Sequence, residues 1–206
     1  MMFNEHTTTD TPMTSPRPYT KTRRAELEQL TRERITEAAV ELHGSLGPAR
    51  TTISAIAQRA DVQRATVYRH FPDEESLFAA CSAHWRVQNE PPDLAAWAAI
   101  RDPATRLAVA LSELYAWYAR TQRMLELLIR DLPLVPAVQT QFRLPGYLEA
   151  AADVLLVGRP ERGAARRRAR AALGHAVAFE TWLSLVRQQG LTSPEAIRLM
   201  ERMTER

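Results

Sequence analysis

The stretch TTISAIAQRADVQRATVYRHF, from Thr51 to Phe71, constrains the fold more than any other part of this chain. Thr52 can cap a short helix over residues 53–60, because a threonine oxygen accepts from a first-turn N–H that has no helical partner. Asp61 and Val62 make a tight turn, and aspartate tolerates the left-handed conformation such turns demand better than most residues. A second short helix runs from about Gln63 to His70 and stops before Pro72. Ile56, Ala60, Val62 and Val67 are spaced to pack in the crook between the two helices, and Ala57 is small enough for a close crossing. The outward face of the second helix then carries Gln63, Arg64, Thr66, Tyr68, Arg69 and His70. These are hydrogen-bond donors and small groups without an acid among them, which is the chemistry of a helix that enters the major groove.

Charge points the same way. Between Pro16 and Pro72 stand ten Lys or Arg against six Asp or Glu, an excess of four, whereas the whole chain has a net charge of +3. A basic N-terminal third is the electrostatic footprint of a phosphate-binding face. Cys81 is the only cysteine, so no intrachain disulfide forms. No apolar run approaches the length of a membrane span, and the polar, proline-rich N-terminus lacks the apolar core of a signal peptide, so a cytoplasmic protein is expected. There is no G-x-S-x-G, P-loop, dinucleotide glycine motif or His-Glu-x-x-His, and no Cys/His spacing for zinc. The expectation is therefore a chain that is not an enzyme and has no cofactor or metal, a helical enzyme being the less favoured alternative.

Helical periodicity organises the rest, and no segment alternates like a strand. Residues 1–24, rich in Thr and Pro, read as a disordered tail. Leu27, Leu30, Ile35, Ala38, Ala39 and Leu42 then form one helical face, with Thr31 as an N-cap and Gly44, Gly47 and Pro48 as its end. Residues 25–72 make a three-helix DNA-binding unit, and Asp73 starts a connecting helix over 73–90 through Leu77, Phe78, Cys81 and Trp85. Beyond Pro91, residues 91–206 form a larger helical domain. Its expected helices cover 94–100, a segment opened by Pro103, 124–132, a segment ending near Val157, a long helix over 161–189, and a last helix capped at Ser193. The long helix has two apolar stripes, Ala169/Leu173/Ala176/Leu183 and Ala172/Phe179/Trp182/Val186, so both sides need covering. Gly190 is placed to end it. The fold class is all-α.

The pattern resembles the signature of the TetR family of transcriptional regulators: Ala38 and Ala39, Gly47, Thr51 and Thr52, Ile56 and Ala57, Val62, then Thr66, Tyr68 and Phe71, over roughly residues 32–78. The remainder matches only in length and helical character. The resemblance implies a homodimer, a double-stranded operator DNA as partner, and a repressor released by a small-molecule effector held in the C-terminal ligand-binding and dimerisation domain. It implies that Thr52 meets phosphate, that Arg64 and Thr66 face base edges, that Tyr68 and His70 contact the backbone, and that Arg69 lies near either; Gln63 opens the reading helix. Three positions depart from the family: Asp61 stands where glycine is usual, Gln63 where serine caps the helix, and Glu74 where a lysine is expected. Glu74 and Asp61 motivate the alternative of a dimeric ligand-binding protein with degenerate DNA binding. Trp85, Trp117, Tyr118, Met124, Phe142, Tyr147, Phe179 and Trp182 are candidates to line a site for an apolar or aromatic effector, with His84 and His175 as polar handles.

Overall fold

The computed structural model describes residues 18–204, and among these every regular element is helical. The first four helices are α1 (Pro18–Ser45), α2 (Ile53–Arg59), α3 (Arg64–His70) and α4 (Glu74–Gln88), with a 3₁₀ turn at Pro48–Arg50. They share one core, in which Ile35, Ala38 and Ala39 of α1 meet Ile56, Ala57, Ala60, Val67, Phe71, Leu77 and Cys81. Two arginines of α1 fasten the head together. Arg32 lies 4.0 Å from the centre of the Phe71 ring and donates to the His70 carbonyl at 2.5 Å. Arg34 donates to the carbonyls of Ala60 and Asp61, the turn between α2 and α3. Charged donors on otherwise unpaired carbonyls contribute about 1.5–3 kcal/mol each when sheltered, so α1 positions the short helices that could not stand alone.

The body contains α5 (Leu94–Ala99), α6 (Pro103–Asp131), α7 (Pro136–Gln141), α8 (Leu144–Leu156), α9 (Gly163–Val177), α10 (Phe179–Trp182), a π turn over Leu183–Gln188, and α11 (Ser193–Thr204). Its core joins Trp97, Leu107, Leu111, Tyr115, Tyr118, Leu155, Leu173, Phe179, Trp182 and Met200. Arg106 is buried within it and meets no carboxylate among the described residues. Instead its guanidinium donates to the Ile100 carbonyl at the end of α5 (2.6 and 2.9 Å) and to Val154 and Val157 at the end of α8 (3.2 and 2.6 Å). The negative ends of two helix dipoles thus neutralise it.

Several boundaries differ from the sequence reading. Residues 18–24 are helical rather than a disordered tail, while 1–17 lie outside the described residues. No apolar face marks this first part of α1, and the exposed pairs Arg24–Glu28 and Gln29–Glu33 support it along its own length. Thr31 is therefore mid-helix, its hydroxyl donating to the Leu27 carbonyl, and is no cap. The expected helix over 124–132 is the last part of α6, a single helix of 29 residues uninterrupted by proline or glycine after its opening Pro103.

The long helix expected over 161–189 breaks at Ala178, which takes an extended conformation (φ −66°, ψ 140°). The freed carbonyls of Ala176 and Val177 accept from the Tyr115 and Tyr118 hydroxyls of α6 at 2.9 and 2.6 Å. The break rotates the chain beyond Ala178, so the two stripes are redistributed. Leu173, Ala176, Phe179 and Trp182 face the core, whereas Ala169, Ala172, Leu183 and Val186 stay half-buried. Gly190 ends this segment at φ +74°. The cap of α11 is Thr192 rather than Ser193: its N–H donates to the Glu195 carboxylate at 2.8 Å and its hydroxyl oxygen accepts from the Glu195 N–H at 3.4 Å, the reciprocal arrangement of a capping box.

Candidate nucleic-acid interface and effector cavity

Thr52 caps α2, its hydroxyl accepting from the Ala55 N–H at 3.1 Å. Asp61 adopts φ +52°, and the Val62 N–H returns to the Ala57 carbonyl at 2.9 Å. The turn that glycine would make is thus made by aspartate. In α3 Val67 is buried against the head and fixes the rotation of the helix. Gln63, Arg64, Tyr68 and Arg69 are exposed and Thr66 is half-exposed. Gln63 precedes α3 without a side-chain capping bond, so its amide is not spent on the helix end. Among the described residues Arg64 and Arg69 have no carboxylate partner.

His70 differs from this pattern. It is half-buried, and its Nε2 lies in the interior with no hydrogen-bond partner among the described residues. Burial, then the charges of Arg69 and Arg32, hold its pKa below the usual imidazole range. The ring is neutral at pH 7, and only part of it faces outward. Arg59, at the end of α2, pairs with Glu41 of α1 at 2.5 Å. Glu74 is exposed in the first turn of α4, where its charge favours the helix N-terminus. Asp73 caps that helix, accepting from the Ser76 N–H at 2.7 Å.

Behind the head, between α1, α4, α6, α7 and α8, lies a cavity of about 120 Å³. Val40 and His43 of α1 form one wall, and Phe78, Cys81, Trp85 and Arg86 of α4 another. Trp117, Met124, Leu125 and Leu128 of α6, Val138 of α7 and Tyr147 of α8 complete it, with Phe142 and Arg143 from the link between the last two helices. His43 stacks on Phe78 with ring centres 4.9 Å apart. Burial pushes its pKa down to about 4, against the weaker opposing pull of Asp131. Trp117 Nε1 donates to the Asn89 carbonyl at 3.0 Å and Tyr147 to the Pro92 carbonyl at 2.8 Å, which leaves mainly their apolar surfaces for the cavity.

Residues 35–81 match the family model described as bacterial regulatory proteins, tetR family. These residues therefore form a TetR-type domain. Solved structures extend the likeness to the whole fold. A putative TetR-family transcriptional regulator from Mesorhizobium loti MAFF303099 is 19% identical, covering 86% of this chain and 95% of its own, with a TM-score of 0.60. A TetR-like transcriptional regulator from Rhodococcus sp. RHA1 gives 20% identity, 85% and 94% coverage and a TM-score of 0.61. NalD from Pseudomonas aeruginosa, described as the secondary repressor of the MexAB-OprM multidrug efflux pump, gives 23% identity, 87% and 96% coverage and a TM-score of 0.62. No curated protein matches the chain.

The TetR-type head therefore brings Thr52, Gln63, Arg64, Thr66, Tyr68, Arg69 and His70 onto or beside one face, with His70 turned partly inward. Of the aromatic and sulfur residues singled out in the sequence, Trp85, Trp117, Met124, Phe142 and Tyr147 line the cavity. Tyr118, Phe179 and Trp182 do not; they pack together in the body core, with ring centres 5.2 to 5.8 Å apart. Neither His84 nor His175 reaches the cavity: the first meets Gln88 and the second Thr181. Sequence reasoning missed His43, Val40, Phe78 and Cys81 as cavity residues because α1 was read as part of the head only, and Trp85 was the one residue of α4 assigned to the site. One signal was available: His43 continues the Ile35–Ala39 apolar face at helical spacing, an imidazole where a core residue belongs. Among the described residues no cluster of His, Cys, Asp and Glu could hold a metal ion, and no helix is long and apolar enough to cross a membrane.

Proposed function

We propose that this TetR-family chain is a cytoplasmic, homodimeric repressor that leaves its operator when a small apolar or aromatic molecule enters the cavity. The observation that carries the reading is that one cavity is walled by the reading head, through Val40 and His43 of α1, and by the body. A ligand there can bind two spacings of the heads unequally, which is the requirement for a shift in DNA affinity. The functional division is a head up to residue 72, the connecting helix over 73–90, and a body from 91 onward.

The acid-free, donor-rich face of α3 supports DNA binding over the degenerate alternative. So does Asp61, which holds the turn in place of glycine. Ala169 and Ala172 before the break, and Leu183 and Val186 after it, stay half-buried in the single chain, which supports a partner subunit on this side. NalD, a repressor by its description, shares this architecture, which favours repression. Selection of bound duplexes from a random pool, followed by titration with and without candidate effectors, tests the reading. An inverted repeat is expected, its half-sites one helical turn or a multiple apart. Failure to enrich any sequence would support the degenerate alternative, and a monomer by analytical ultracentrifugation would overturn the two-half-site arrangement.

A further inference from the structure

The cavity is graded in polarity. Its floor, at Phe78, Cys81, Leu125 and Val138, is buried and apolar, whereas Arg86 of α4 and Arg143 before α8 are exposed at its edge. Neither arginine has an ion-pair or side-chain hydrogen-bond partner among the described residues. No carboxylate lines the cavity among those residues. Of the other ionisable wall groups, His43 is held neutral at pH 7 by burial, and burial raises the pKa of Cys81 and of Tyr147, so that both stay protonated and uncharged. The site's charge is therefore purely cationic and confined to its mouth.

Resting on the effector reading above, we propose that the cavity takes an aryl carboxylate, with its ring on the floor beside Phe78 and its carboxylate at the mouth between Arg86 and Arg143. The interior of about 120 Å³ is comparable to the dry apolar cavity of about 150 Å³ that admits a benzene ring. A guanidinium presents paired N–H groups that match the two oxygens of a carboxylate. A neutral aromatic would fill the floor and leave both arginines without a counter-charge. An ammonium in that position would face two like charges, and an acid pushed in head-first would be desolvated among apolar groups.

The test compares three probes with one tail: 3-phenylpropanoate, 3-phenylpropan-1-ol and 3-phenylpropan-1-amine. Binding to the full chain is measured by titration calorimetry and by fluorescence of the tryptophans. The carboxylate should bind about tenfold more tightly than the alcohol, the low end of what a charged hydrogen bond gives at a partly exposed site, with the amine weakest. In the double variant Arg86→Ala/Arg143→Ala the carboxylate should lose that advantage while the alcohol keeps its affinity; both positions are exposed, and circular dichroism checks the fold. The proposal is overturned if the alcohol binds as well as the acid, if the double variant keeps the preference, or if none of the three binds. Operator titration with 3-phenylpropanoate is read separately. Arginine-dependent binding that leaves DNA affinity unchanged would uphold this site and refute its role as the switch.

Discussion

Replacing Gly47 by alanine should cost about 2–5 kcal/mol of stability. Gly47 lies between α1 and the 3₁₀ turn at φ +91° and ψ 157°. That region is open essentially to glycine alone, and another residue there costs about 1–3 kcal/mol. A Cβ would also run into the side chains of Arg130 and Asp131 at the end of α6. The Arg130 side chain is partly exposed and can move, but the Asp131 carboxylate is 1% exposed and accepts the Ala49 N–H at 3.0 Å. Displacing it breaks a buried charged hydrogen bond, a further loss of about 1.5–3 kcal/mol, while the stiffer unfolded chain returns roughly 0.5 kcal/mol. At about 2–4 °C per kcal/mol for a chain of this size, the melting temperature should drop by about 10 °C. Gly146→Ala is the control: in the first turn of α8 its Cβ meets nothing within 4 Å, and the change should stabilise by up to about 1 kcal/mol. Urea denaturation and differential scanning calorimetry of both variants decide. If Gly47→Ala melts within about 2 °C of the parent, the close approach of the head to α6 is not what holds that junction, and the reasoning fails.

Arg64→Ala should lose about 1–3 kcal/mol on the selected operator and relax one base pair per half-site, whereas Tyr68→Phe should weaken all duplexes alike; the opposite pattern in competition titrations would reverse the two roles. His43 is neutral in the folded protein down to about pH 4, while the unfolded chain protonates near pH 6.5. The unfolded state therefore binds more protons between these values, and stability falls as pH drops through the window, by about 2 kcal/mol at pH 5. The His43→Gln variant should show a correspondingly flatter stability profile from pH 7 to 4, and an unchanged slope would refute the assignment. Burial pushes the Cys81 thiol up to about 12, so iodoacetamide at pH 8 should spare the folded protein and alkylate the urea-unfolded chain; rapid alkylation of the native state would show that the floor of the cavity opens.

What could be read from the sequence was what local chemistry decides. The cap at Thr52, the left-handed turn at Asp61, the buried Val67 behind an exposed Tyr68, and the glycine stop at Gly190 each rest on a few neighbouring residues. The features decided by distant contacts were not legible. The break at Ala178 has no proline or glycine to announce it and depends on Tyr115 and Tyr118, about sixty residues earlier in the chain. The same break moved Phe179 and Trp182 away from the cavity and into the core. Five of the eight aromatic and sulfur candidates do line the cavity, yet much of the rest of its wall comes from α1 and α4. Periodicity shows that such a helix has an apolar face, but not which neighbour that face meets. The start of α1 was hidden for the opposite reason: a helix with no apolar side leaves no stripe to find.

Arg106 has a mechanical consequence. Carbonyl dipoles do not titrate, and dissolved ions do not reach a side chain that is 2% exposed. The clamp joining α5, α6 and α8 is therefore insensitive to acidity and ionic strength over the range in which surface charges respond. That corner of the molecule works as an anvil. On the proposed function, α6 and α8 are the walls tied together by this clamp, and the displacement caused by an effector is expected at the opposite wall, formed by α1 and α4.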